Sequence, residues 1–260
     1  MTGTHVTWET AAGIGRIVLR PEVAGKPATL DWTVLDELEG AIQALAVQRA
    51  DLDVVEVRGA APKYFVVGAN IRVLETLDAA SIGNWVARGH AVFGQLAALP
   101  IPTVAVVEGF ALGGGLELAL ACDWIVAHST ARLGQPEAGL GVVPGWGGTW
   151  RLAQRVGLAR AKLLCLTGRQ IDADEAQRWG LVDFAGTPVE VEQFLAQLVD
   201  GVRVLSKAAV SSTKALIHEN WGATAEAAMR REASASVDCW TEGDAAQRTA
   251  AFLENRRNRS

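Results

Sequence analysis

Residues Ala105–Asp123 read A-V-V-E-G-F-A-L-G-G-G-L-E-L-A-L-A-C-D. Thr103–Val107 is a short β-branched run between Pro102 and Gly109, the pattern of a buried strand. Gly113, Gly114 and Gly115 then permit a tight turn and close backbone approach. An apolar helix over Gly115–Cys122 follows, and its first N–H groups form an end that attracts anions. Glu117 lies in that first turn and is the only charged residue between Gly109 and Cys122. An ionised carboxylate in an apolar segment is costly unless paired or used. Two readings stand side by side: a functional carboxylate, or an ordinary acidic residue favoured by the helix dipole.

Glu137 repeats the pattern. It is the sole charge between Leu133 and Trp150, in L-G-Q-P-E-A-G-L-G-V-V-P-G-W-G-G-T-W. So apolar and glycine-rich a loop is more often a working surface than a solvated connector. The bland alternative is a carboxylate that caps backbone amides of the helix starting near Gly148. Two isolated carboxylates in apolar settings suit general acid–base work, because burial moves a carboxyl pKa toward neutrality. Gly68–Ala69 and Gly113–Gly115 each offer a backbone N–H to one oxygen, the makings of an oxyanion hole. The combination points to chemistry beside a polarised carbonyl.

Outward from these stretches, the chain alternates strands and helices to about residue 185. Val6–Trp8 and Gly15–Leu19 form a hairpin through Ala11–Gly13. Thr33–Ala46 is a helix with Val34, Leu35, Leu38, Ile42 and Leu45 on one face, capped by Asp31 or Thr33. Strands are expected at Asp53–Arg58, Tyr64–Val67, Trp124–Ala127 and Ala131–Gly134. Helices are expected at Ile71–Leu77, Ser81–Leu99, Thr149–Val156 and Ala161–Leu166, and from Asp172 or Asp174 to Gly180. Gln135–Gly148 reads as irregular. From Val189 onward the pattern is helical. The fold class is α/β with a largely parallel sheet, divided into a core over residues 1–190 that carries the active site and a helical region over 191–260.

Composition narrows the function. Twenty-four basic and 29 acidic residues leave a net charge of −5, which disfavours nucleic acid and anionic membrane as partners. The basic tail of Arg256, Arg257 and Arg259 reads as a solvated end. Cys122, Cys165 and Cys239 lie far apart and read as buried free thiols. Met1–Thr10 is polar without the apolar core of a signal sequence, and no apolar run reaches the ~18 residues of a membrane span, so the cytoplasm is expected. His5, His90, His128 and His218 lack metal-ligand spacing. The glycine run fails G-x-G-x-x-G because position 118 is Leu, and Ser211–Lys214 matches S-x-x-K without companion motifs. Trp146 and Trp150 flank the expected pocket.

Over Gly15–Arg257 the chain resembles the crotonase superfamily, and within it the enoyl-CoA hydratases. The resemblance rests on Phe65–Asn70 with Ile71, on residues 108–123, on L-G-Q-P-E at 133–137 and on P-G-W-G-G-T at 144–149, with T-G-R-Q-I-D-A-D-E-A at 167–176 and W-G-L-V-D at 179–183. It implies a spiral of ββα units and a helical C-terminal trimerisation region, assembled as a homotrimer or dimer of trimers. It also implies an acyl-CoA thioester as substrate and no further cofactor. By position, Ala69 and Gly114 match the oxyanion amides, Glu117 and Glu137 the catalytic carboxylates, and Gly145 the glycine that helps hold the water. Acyl-CoA contacts fall to Lys26, Ala28, Gly68, Asn70, Ile71, Arg72 and Trp146. The implied reaction is syn addition of water to a trans-2-enoyl-CoA, giving a 3-hydroxyacyl-CoA.

Some positions depart from the pattern. Asn70 stands where the family usually has Asp, Val66-Val67 is bulkier than usual and narrows the acyl entrance, and Ala28-Thr29-Leu30 replaces Asn-Ala-Leu with the nearby lysine displaced to Lys26. The competing functions are an enoyl-CoA isomerase, a specialised hydratase of branched or polyketide-type acyl-CoAs, and a non-catalytic RNA-binding or scaffold protein.

Overall fold

The opening stretch folds as two strands and a helix, one strand more than its sequence pattern indicates. A computed structural model describes residues 4–257. Arg259 of the basic tail and the first residues of the polar opening segment lie outside the described residues.

Strands β1 (Val6–Ala11) and β2 (Ile14–Leu19) form the expected antiparallel hairpin. Its turn places Ala12 and Gly13 at positive φ, 51° and 81°. Helix α1 (Trp32–Val47) follows, with Asp31 as its cap accepting from Val34 N at 2.8 Å. Next come β3 (Val54–Gly59), β4 (Tyr64–Val67), a single turn α2 (Ile71–Leu74) and α3 (Ile82–Ala97). Then β5 (Thr103–Val107), β6 (Phe110–Leu112) and α4 (Gly114–Leu120) precede β7 (Trp124–His128) and β8 (Arg132–Gly134). A 3₁₀ turn over Glu137–Leu140 interrupts the loop expected to be irregular. Helices α5 (Arg151–Val156) and α6 (Leu158–Thr167) lead to β9 (Gln170–Asp172), α7 (Ala173–Trp179) and β10 (Phe184–Gly186). Four helices end the described chain: α8 (Pro188–Arg203), α9 (Lys207–Asn220), α10 (Ala225–Thr241) and α11 (Ala245–Arg257).

The strands form two sheets. The larger runs β1-β2-β3-β5-β7-β10, parallel except for the hairpin, and the smaller runs β4-β6-β8-β9. Each of the pairs β3/β4, β5/β6 and β7/β8 sends one strand to each sheet, so the chain winds as a spiral. The loosely similar stretches at 54–59, 104–109 and 124–128 are its neighbouring parallel strands β3, β5 and β7.

Period-two alternation decides which face each side chain takes. In β5, Ala105 and Val107 face the main core with Leu35, Phe93 and Leu116. Val104 and Val106 face the opposite side, where Val191, Leu195 and Val199 of α8 cover them. At about 2 kcal/mol per fully buried aliphatic side chain, those three residues alone fix α8 to the sheet. Helices α9–α11 bury no residue completely. One tie back to the core is Lys214, which pairs with Asp123 at 2.7 Å and donates to the Ile101 carbonyl.

Burial of the cysteines is only partial. Cys122 is buried, and burial pushes its thiol up to about 12, which leaves it inert. Cys165 and Cys239 are half-buried rather than buried.

Candidate active site

Glycine conformation places the first carboxylate. Gly113 takes φ 54°, ψ −127°, a combination closed to L-residues with a Cβ, and α4 starts immediately after it. The next turn packs hard on β4: a Cβ on Gly115 would lie 1.9 Å from the Val66 carbonyl oxygen. Val66 is therefore a fully buried packing partner of α4, and of the two valines only Val67 reaches the cavity. Glu117 sits one turn into this helix, 2% exposed.

The 144–148 loop closes over Glu117. The amides of Trp146 and Gly148 both donate to its Oε1, each at 2.7 Å. Capping of this loop's amides, considered for Glu137, is thus carried out by Glu117. Burial pushes the Glu117 carboxyl up, while the two amides and the Arg151 guanidinium oppose that rise. Both bonds fall on one oxygen, so Oε2 keeps its lone pairs for another donor. Arg151 is itself buried, donates to the Trp146 carbonyl and stacks on Trp150.

Glu137 stands across the cavity at the start of the 3₁₀ turn. Its Oε1 comes within 2.9 Å of where a Cβ on Gly113 would be. Burial, with the Glu117 charge as a lesser cause, raises its carboxyl to about 7. Gln135, fully buried, meets it: oriented to satisfy both groups, the amide nitrogen donates to Oε1 at 2.8 Å and Oε2 at 3.0 Å. Burial thus raises both carboxyls, and at Glu117 the two amides work against the rise.

Two backbone amides complete the arrangement. Leu30 donates to the Gly68 carbonyl and accepts from Asn70 N, which brackets Ala69. The Gly114 amide lies at the open end of α4. Among the described residues neither the Ala69 nor the Gly114 amide donates to a protein acceptor. Both residues line the cavity that Glu117, Glu137 and Gly145 share, about 750 Å³ in volume.

Of the expected substrate contacts, Gly68, Asn70, Ile71, Arg72 and Trp146 also line this cavity. Lys26 and Ala28 do not. Ala28 is buried with its carbonyl accepting from Val67 N, and the wall there consists of Pro27 and Thr29. Trp150 likewise lies outside the cavity. Asn70 caps α2 by accepting from Arg72 N at 3.1 Å, a bond an aspartate makes equally well. The sequence reading missed Gln135, Arg151 and the cavity residue Trp85. Gln135 had a signal, as a polar side chain beside Glu137 in an apolar loop; Trp85 had none.

Comparison with known proteins places this geometry. A family model described as Enoyl-CoA hydratase/isomerase matches residues 9–259. The chain is 39% identical to a crotonyl-CoA hydratase of Syntrophomonas wolfei over 230 residues, covering 88% of this chain and 87% of that protein. It is 36% identical to a short-chain-enoyl-CoA hydratase of Clostridium acetobutylicum, covering 86% and 83% of the two chains. Among solved structures, the enoyl-CoA hydratase of Bacillus anthracis superposes with a TM-score of 0.88 at 29% identity, covering 96% of each chain.

Proposed function

The chain belongs to the enoyl-CoA hydratase/isomerase family, and from that premise we propose that it adds water reversibly to trans-2-enoyl-CoA thioesters, giving 3-hydroxyacyl-CoAs. One observation carries the proposal: a buried carboxylate, Glu117, and a half-buried one, Glu137, face a single apolar cavity beside two backbone amides that have no protein acceptor among the described residues.

In this reading the thioester carbonyl oxygen accepts from the amides of Ala69 and Gly114. A water lies between the acids, near Gly145. Glu117 in its carboxylate form, with Oε1 accepting from the Trp146 and Gly148 amides, takes a proton through Oε2 as the water oxygen bonds to Cβ. The electron pair of the double bond moves to the thioester oxygen, where each donor is worth about 2.7–4 kcal/mol of barrier. Glu137, whose carboxyl at about 7 keeps a protonated fraction at neutral pH, then delivers its proton to Cα. Both acids act from one side, so addition is syn. The acyl-CoA is substrate, and the steps draw on no metal or redox group.

The helical region over 191–260 is proposed to build a homotrimer or a dimer of trimers. Ile217, Met229, Trp240 and Phe252 on α9–α11, and Trp221 just after α9, are each more than half exposed, more apolar surface than an isolated chain keeps in water. The cytoplasm is the proposed location; no helix among the described residues is long and apolar enough to cross a membrane.

Reaction in D₂O with NMR of the product tests the chemistry. Hydration places one deuterium at C2 and a hydroxyl at C3. Deuterium incorporation with the double bond moved to C3, and no hydroxyl, would replace hydration with isomerisation.

A further inference from the structure

We propose that Trp146 is a specificity-determining residue whose indole forms the fixed floor of the acyl pocket, so that the site takes short enoyl chains. The inference rests on the hydratase reading above and deepens it.

Exposure grades the cavity from rim to floor. Ile71, Leu140 and Val143 are 59%, 61% and 75% exposed, whereas Trp85 and Trp146 are each 3% exposed. The tryptophan pair thus lies at the buried end of the cavity, with Gly113, Gly114 and Glu117 of the reacting centre. The Trp146 ring leaves its backbone beside the reacting centre, where the Trp146 amide holds Glu117 Oε1 at 2.7 Å. From there it passes the oxyanion residue Gly114, on which a Cβ would lie 2.7 Å from ring atom Cζ3. An acyl chain with its carbonyl oxygen at the Gly114 amide consequently meets the indole within a few carbons of Cβ.

The ring has no room to swing aside. A Cβ on Gly89 would lie 2.1 Å from its Nε1, so the indole fills a notch that only glycine leaves open. Nε1 donates to the Trp85 carbonyl at 3.4 Å. The rings of Trp85 and Phe93 pack edge-on at 4.9 and 5.5 Å. Trp146 is thus a rigid stop, and removing its ring joins the notch to the acyl cavity.

The test measures kcat/KM for trans-2-enoyl-CoAs of four, six, eight and ten carbons with the full-length protein. The variants are Trp146→Ala, Trp146→Phe and, as control, Trp150→Ala on the same loop but outside the cavity. Wild type is expected to lose about tenfold or more from four to ten carbons, since successive methylenes at a closed wall discriminate strongly. Trp146→Ala is expected to raise the ten-to-four-carbon ratio about tenfold or more, Trp146→Phe to raise it by a smaller factor, and Trp150→Ala to leave it unchanged. Should Trp146→Ala fail to fold, the rise in Trp146→Phe decides. Wild-type activity without a length preference, or variants active on crotonyl-CoA with the wild-type profile, overturns the inference and leaves the hydratase reading intact. Wild type inert at every length overturns both.

Discussion

Glu137 gives the sharpest quantitative prediction, because its placement sets stability against function. Its carboxyl rises from 4.5 to about 7 on folding, first through burial and then through the Glu117 charge. The folded protein therefore favours the protonated acid. Below the ordinary carboxyl pKa both states are protonated and nothing is lost. As pH rises through the folded value, the folded state carries a charge it disfavours, and the penalty grows to its full size. At 1.36 kcal/mol per unit, the displacement corresponds to about 3 kcal/mol at about pH 8, falling to about 1 kcal/mol at about pH 5. Glu137→Gln removes the charge and keeps the shape, with Gln135 still beside it. The variant should thus be more stable than wild type at about pH 8, with the advantage shrinking as pH falls to about 5, while its hydration rate drops about tenfold or more. Urea unfolding at fixed protein concentration across that pH range reads the difference. A stability difference independent of pH, or one that widens toward acid, would refute the reasoning.

Replacing the other carboxylate separates chemistry from architecture. Glu117→Ala leaves the Trp146 and Gly148 amides buried without an acceptor, at about 1–3 kcal/mol each, whereas Glu117→Gln retains an oxygen for them; a melting curve should show the larger loss only in the alanine variant. Gly113→Ala forces a Cβ into a glycine-only conformation and against Glu137 Oε1, so about 1–3 kcal/mol of strain and about a tenfold loss of kcat are expected in thermal melts and initial rates. Asn70→Ala removes the cap of α2, worth about 1 kcal/mol, and should raise KM severalfold with kcat nearly unchanged; Asn70→Asp should restore KM.

Much of this site was legible because charge is conspicuous where everything else is apolar. Glu117 and Glu137 stood out as lone charges, and Gly113 as part of a run only a backbone constraint explains. The buried face of α1 was readable from its periodicity. Strands β6, β9 and β10, of three residues each, were not read, and of the three-residue strands only β8 was anticipated. Amide capping near Gly148 was readable only as an alternative role for Glu137; Glu117 takes the Trp146 and Gly148 amides because the chain's spiral brings their loop onto α4. Ala28 fell outside the cavity because positions in an extended segment alternate between wall and interior, and Lys26 because it lies exposed in the bend before that segment. Trp85 carried no signal at all: on a helix face it looks like any core aromatic, and it becomes cavity floor only through Trp146.

The most direct test follows the absorbance of the conjugated thioester as purified protein meets crotonyl-CoA, with Glu117→Gln and Glu137→Gln measured alongside. Rapid loss with wild type, slowed about tenfold or more in each variant while both remain folded, is the predicted result. Near-normal rates in both variants would contradict a mechanism built on the two carboxylates.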